Sequence, residues 1–316
     1  EVERALAMET AVEAVREAFI QLSTGRAEVP LRTVIPLSDS GTALFMPSGL
    51  AAGEHFGLKV VSVVPDNISR DLPTIHALVT VFNATTGAPL AVMDGEVLTA
   101  IRTGAASGVA TDLLARADAS VVAVIGAGVQ ARRQVEAVCC VRTIREVLIF
   151  DADATRALQL AEDLGDDLMI PVRVLHRVSA VGEADVICTA TSSDTPVLVD
   201  RDVAPGTHIN AIGAYRPNTR EIPGATVARS RLVVDSRSAC QAEAGELVMA
   251  IDEGLLDGGF EPDEIGEIAA GLKPARSDDR EVTVFKSVGN AVQDLAVAGV
   301  VLSTAQRLGL GTEVTL

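Results

Sequence analysis

The stretch VVAVIGAGVQA, residues 121–131, decides the fold. Its apolar run breaks into Gly126, Gly128 and Ala131, spaced G-x-G-x-x-A. Such a run reads as a strand buried on both faces, and the glycines turn it sharply into a helix. Gly126 permits the tight turn, Gly128 lets backbone approach a pyrophosphate, and Ala131 lets helix and strand pack closely. The helix N-terminus adds unpaired N–H groups for the anion. The surrounding sequence supports this reading: residues from Gln130 onward are helical in pattern, and a second strand, VLIFD, ends at Asp151. A carboxylate there accepts hydrogen bonds from an adenosine ribose and repels a 2'-phosphate, so NAD is expected over NADP. No arginine sits within residues 151–155, although Arg156 follows directly. Asp151 and Asp153 can also be read as caps of the next helix.

Downstream, SVVAVI, EVLIFD, VRVL, ADVICTAT, THINAIG and RLVVDS alternate with helical stretches such as residues 130–140 and 154–164. Strands alternating with helices predict parallel pairing in a doubly wound sheet. The rhythm ends near Thr283, and the last stretch reads as helical after Gly289. Upstream, Leu6, Val12, Val15, Phe19 and Leu22 fall at helical spacing, which predicts one amphipathic helix over residues 4–24 ending at Gly25. TVIPL, ALFMP, GLKVVSVVP and HALVTVFNATTGAPLAVMD follow as strands and hairpins, with Thr86-Gly87 as one turn, before residues 99–114 turn helical again. The expected fold class is α/β: a Rossmann doubly wound parallel sheet over residues 118–284, plus a mixed α+β domain from residues 1–117 and 285–316.

Composition agrees with this class. Hydrophobic residues make up 48% of the 316 while aromatics are only 3%, so cores must be built from small branched side chains, as in parallel sheets covered by helices. The formal charge of −17 repels phosphate backbones and anionic lipid, which argues against nucleic-acid or membrane partners. Cys139, Cys140, Cys188 and Cys240 show no C-x-x-C spacing, so neither a metal site nor a disulfide framework is expected. No secretory segment is read at the start, and no apolar run approaches the roughly 18 residues that span a bilayer, which makes the cytoplasm the expected location.

Against this acidic background a few cations stand in apolar surroundings. Lys59 interrupts the strand FGLKVVSVV, Arg32 lies in PLRTVIP, and Arg102 begins a run of small helical residues in LTAIRTGAAS. Arginine clamps planar anions bidentately and lysine adds a point charge, so together they fit a carboxylate. A nicotinamide cofactor with a carboxylate site suggests redox chemistry on an amino or imino acid.

At these residues the chain resembles the ornithine cyclodeaminase and mu-crystallin family, which also contains alanine dehydrogenases and ketimine or pyrroline-carboxylate reductases. The resemblance runs through RTVIP, MPSG, GLKVV, TGAPLAVMDGEVLTAIRTGAASGVAT, VIGAGVQA, GTHINAIGAYRPNTREI, VVDS and VFKSVGNAVQDLA. It implies that the segments flanking the Rossmann domain form a substrate and dimerisation domain, giving a homodimer. It further implies that Arg32, Lys59 and Arg102 contact substrate, and that Gly128, Val129, Gln130, Asp151, Thr191 and Val288 contact the dinucleotide.

One departure bears on the reaction. After NAIGA, relatives that act on free amines carry an aspartate, whereas Tyr215 stands here. A tyrosine with a reference pKa near 10 is a poor base at neutral pH and cannot pair an ammonium as a carboxylate does. Reduction of an imine already formed makes fewer demands. The expected activity is therefore reduction of cyclic imino acids, 1-pyrroline-2-carboxylate or 1-piperideine-2-carboxylate, to L-proline or L-pipecolate. Ornithine cyclodeamination, alanine-type dehydrogenation and low-turnover ligand binding remain as alternatives.

Overall fold

The computed structural model describes residues 1–37, 41–51 and 54–315. It divides into two compact units, residues 1–102 with 290–316, and residues 103–289. The sequence reading set these divisions at 117/118 and 284/285.

The first unit is built on an antiparallel sheet. Strands β1 (Ala27–Glu28), β2 (Thr33–Pro36), β3 (Thr42–Leu50), β4 (His55–Val63), β5 (Ile75–Asn83) and β6 (Pro89–Asp94) pair in the order β1-β3-β4-β5-β6, with β2 also on β3. Gly87, at φ +74°, makes the turn between β5 and β6. Alternation sends Leu44, Met46, Val61 and Ala77 inward, where they pack with Ala291 of the closing helix Ala291–Leu308. The other face stays apolar and open: Val60 pairs with Leu78 and Thr80 with Val92, and Leu78 and Val92 are 54% and 68% exposed. Phe56 and Phe82 stack on that face at 5.0 Å.

The predicted helix over residues 4–24 is two helices, α1 (Val2–Ala5) and α2 (Met8–Ser23). Leu6 is extended and buried and Ala7 is extended as the cap of α2, so the chain breaks where a large apolar side chain turns inward. Helix α3 (Gly95–Leu114) carries the chain out of this unit.

The second unit holds an eight-stranded parallel sheet. Its strands are β7 (Val121–Ile125), β8 (Glu146–Phe150), β9 (Val172–Val174), β10 (Val186–Thr189), β11 (His208–Ala211), β12 (Arg231–Val234), β13 (Asp263–Glu264) and β14 (Thr283–Lys286), in the order β13-β12-β14-β11-β10-β7-β8-β9. The chain runs outward from β7 to β9 and then returns to β10 on the other side of β7. The switch point of this Rossmann sheet is therefore at β7/β10, where ligands of such folds bind beyond the carboxyl ends. Both faces are covered: Ala123, Ile125, Ile187 and Ile209 enter one core, Val122, Val124, Val147 and Ile149 the other.

Strand β14 corrects the sequence reading, which ended the strand rhythm near Thr283. It lies between β11 and β12, and its polar Lys286, fully buried, interrupts the apolar pattern that marks its neighbours. Helix α4 (Val129–Val141) packs on α3 backbone to backbone at Gly104, where a Cβ would lie 2.5 Å from the Arg133 carbonyl oxygen. Gly104→Ala is expected to destabilise the fold by about 1–3 kcal/mol through this overlap, measured by urea unfolding.

Candidate active site

The glycine turn has the shape the sequence predicts. Gly126 sits at φ +104°, and a Cβ on it would overlap the Ala190 carbonyl oxygen, so only glycine passes there. Gly128, the cap residue of α4, faces open space: nothing comes nearer to its missing Cβ than an Arg156 nitrogen at 3.9 Å. Ala131 is fully buried under the helix, while Val129 is exposed at its first position. The side-chain oxygen of Gln130 is buried and has no hydrogen-bond partner among the described residues. A turn closed on its inner side and open on its outer side fits a dinucleotide phosphate.

Asp151 holds this turn. One carboxylate oxygen accepts from Ala127 N at 2.7 Å and the other from Asp153 N at 2.8 Å. Asp153 caps helix α5 (Ala154–Leu168), accepting from Thr155 N and Arg156 N. The capping role considered for both aspartates thus belongs to Asp153, and Asp151 joins the loop after β7 to the one after β8.

Three buried carboxylates order the loops beyond β10, β11 and β14. Glu221 accepts from Thr189 Oγ1, from Thr191 N and Oγ1, and from Gly213 N, all at 2.7–2.8 Å. Asp235 accepts from Ser287 Oγ at 2.7 Å, Val288 N at 3.1 Å and Gly289 N at 2.8 Å. Glu246 accepts from Glu221 N and lies 3.0 Å from the Lys286 ammonium, which donates to the Ala214 carbonyl at 2.5 Å. Thr191 and Val288 are fixed by this network, as is the residue just before Tyr215. Tyr215 itself is exposed, with the Arg216 guanidinium 5.5 Å from its ring centre. His208 is structural, because it bridges Thr283 and Asn210 and burial pushes its pKa down to about 3.

In the first unit the structure brings the sequence-predicted cations together. Lys59 points to the inner face of β4 and is 3% exposed. Its ammonium lies 2.7 Å from Asp294 Oδ2 and 3.5 Å from Thr99 Oγ1. Arg102 stands on the second turn of α3 rather than beginning a helix, and it is buried. Its Nε donates to Asp294 Oδ1 at 2.9 Å and its Nη1 to Gln293 Oε1 at 2.5 Å. Burial pushes the Lys59 ammonium down to about 8; Arg102 and, more weakly, Arg32 repel it, while Asp294 holds it up. Arg32, partly buried before β2, is thus within electrostatic reach of the cluster. Between pH 8 and the ordinary lysine range the unfolded chain keeps a proton the folded one has released, so this group's contribution to stability rises with pH through that window.

Sequence reasoning missed the cluster's anion. Asp294 and Gln293 are both buried in the first turn of the closing helix, and the Gln293 side-chain nitrogen has no hydrogen-bond partner among the described residues. The available signal was an acid inside the apolar helix AVQDLAVAGVV. Glu221 and Asp235 were missed in the same way.

The comparisons with known proteins agree with this architecture. The family model described as ornithine cyclodeaminase/mu-crystallin family matches residues 1–308, and this chain belongs to that family. A Delta(1)-pyrroline-2-carboxylate reductase of Bacillus cereus is 40% identical over 300 residues, covering 94% of this chain and 92% of the relative. The structure of Thermococcus litoralis Delta(1)-pyrroline-2-carboxylate reductase in complex with NADH and L-proline matches with a TM-score of 0.95 at 41% identity, covering 99% of this chain and 98% of that one. An archaeal alanine dehydrogenase dimer with bound NAD matches with a TM-score of 0.94 at 36% identity, covering 99% and 96%.

Asp294→Asn would leave two buried cations without their shared counter-charge. The variant is expected to lose about 3–5 kcal/mol of stability, measured by chemical unfolding, and to hold the Lys59 pKa below the wild-type value.

Proposed function

We propose that this chain is an NADH-dependent reductase of cyclic imino acids, converting 1-pyrroline-2-carboxylate to L-proline and 1-piperideine-2-carboxylate to L-pipecolate. The observation that carries this reading is the charge balance of the buried cluster: Lys59 and Arg102 share one carboxylate, Asp294, with Arg32 within electrostatic reach. Such a site has positive charge left over for an anion, and the unpaired Gln293 nitrogen adds a hydrogen-bond donor. A substrate carboxylate answers both.

Arg32 and Arg102 anchor that carboxylate, and Lys59 adds to the clamp. With a pKa near 8, Lys59 is largely protonated at neutral pH yet releases its proton readily. Its Nζ delivers that proton to the imine nitrogen, which makes the adjoining carbon a better hydride acceptor. Bound NADH supplies the hydride; Gly126, Gly128, Val129, Gln130, Thr191 and Val288 hold the dinucleotide, and Asp151 favours an unphosphorylated ribose. The Tyr215 hydroxyl offers a hydrogen bond to the substrate and no base for an ammonium, which favours the imine over a free amine as substrate. The archaeal alanine dehydrogenase relative makes pyruvate with ammonia the necessary comparison.

NADH oxidation should be followed with 1-pyrroline-2-carboxylate, with pyruvate plus ammonia, and with L-ornithine plus NAD assayed for proline. The cyclic imine alone is expected to support turnover; faster ammonia-dependent oxidation, or proline from ornithine, would overturn the reading. The wild-type kcat/KM should fall as pH rises through about 8, where Lys59 loses its proton. Lys59→Met should lack this limb and lose about a hundredfold or more in kcat. A higher KM at unchanged kcat would make Lys59 an anchor only.

The protein works as a homodimer in this proposal, with the open apolar face of β4, β5 and β6 covered by a second copy. Sedimentation should give a dimer for the wild type, and Leu78→Asp, which buries a charge in that face, should give monomers.

A further inference from the structure

Lys286 is the last residue of β14 and is fully buried behind Thr283, Val284 and Phe285 of the same strand. Its ammonium lies 3.0 Å from Glu246 Oε2 and donates to the Ala214 carbonyl at 2.5 Å. Glu246 is fully buried too, and its other oxygen accepts from Glu221 N at 2.9 Å. Stability does not account for this pair: burying it costs the hydration of both charges, and apolar residues of the same volume are commonly as stable. What an apolar side chain could not replace is the bond to Ala214, whose carbonyl lies beyond the end of β11. On the other flank the chain packs on Gly245, which opens the helix Gly245–Asp252 that also carries Glu246. A Cβ on Gly245 would overlap the Thr219 carbonyl oxygen and lie 2.9 Å from that of Arg216. The backbone is therefore held directly before and directly after Tyr215, whose side chain is exposed.

We infer that Lys286 is a positioning residue for the substrate side of the reaction, fixing the backbone from which Tyr215 presents its hydroxyl. Lys286 acts through the Ala214 carbonyl and not by contact with substrate. A hydroxyl held in place makes its hydrogen bond without first giving up the freedom of a loose loop. The inference rests on the reading of Tyr215 as a substrate contact, and the two can fail separately.

The chain has one tyrosine and no tryptophan, so tyrosine fluorescence reports on position 215 alone. Lys286→Met combined with Glu246→Gln removes the bond to Ala214 without leaving a buried charge, and the new amide can still accept from Glu221 N. In time-resolved anisotropy this variant should gain about twofold or more in the amplitude of the fast decay, as the tyrosine is released to local motion. Its kcat/KM with 1-pyrroline-2-carboxylate should fall about three- to tenfold, the loss of one well-placed hydrogen bond. Its NADH dissociation constant and urea midpoint should stay near the wild-type values. Tyr215→Phe should lose about as much activity, and the three substitutions together should lose no more than Tyr215→Phe alone. Losses that add in full, or a fall in the urea midpoint with unchanged anisotropy, would overturn the inference and make Lys286 a residue of the fold only. Should the paired variant not fold, Lys286→Gln, whose shorter side chain draws back from Ala214, carries the same activity and anisotropy expectations. The wild type alone gives a further check, because a fast component already dominating its decay would mean that nothing fixes position 215. Wild-type kcat/KM in Tyr215→Phe would remove the tyrosine from substrate contact, and the inference with it. An impaired Tyr215→Phe beside an unimpaired Lys286 variant would sink the inference alone.

Discussion

The Asp294 carboxylate is what allows the buried cluster of Lys59 and Arg102 to exist. Two cations buried side by side repel each other and have lost their water, a combination that would ordinarily neutralise the lysine or expel one side chain. With one oxygen toward Lys59 and the other toward Arg102, Asp294 fixes both side chains. The compensation is incomplete, because one carboxylate faces two cations. A balanced pair would be inert toward an anion, whereas a cluster with surplus positive charge binds one and leaves its lysine able to titrate near neutral pH. Of the chain's three lysines, two are buried against carboxylates, Lys59 with Asp294 and Lys286 with Glu246.

The two units solve different problems with the same economy of polar groups. In the parallel sheet, carboxylates gather backbone N–H groups and hold loop ends together, as Asp151, Asp235 and Glu221 do. In the antiparallel unit, the carboxylate gathers side-chain cations. Carboxylates bonded to N–H groups shape backbone, while one bonded to ammonium and guanidinium tunes acidity.

Much of the Rossmann half was legible because strands buried on both faces are apolar runs, and because a glycine with forbidden φ leaves a fixed mark, as Gly126 does. Strand β14 escaped because Lys286 breaks its apolar run, and β13 because it is only two residues long. The break between α1 and α2 left no glycine or proline to announce it. In the cluster around Asp294 the cations stood out as rare polar groups in apolar stretches. Their counter-charge did not, since 43 acidic residues offered themselves and Asp294 lies 192 positions from Arg102. Periodicity reports on neighbours along an element; a contact of that range becomes visible only once the closing helix is laid on the sheet.

The loop that presents Tyr215 is anchored through Ala214, Gly213 and Glu221, none of whose bonds involves the tyrosine side chain. Position 215 can therefore change its chemistry without loosening its support. An acid, a phenol or a small residue would each be displayed from the same backbone. Over evolutionary time this separates the cost of keeping the fold from the freedom to vary an exposed side chain, so that one substitution there can be tried by selection without first unfolding the protein that carries it.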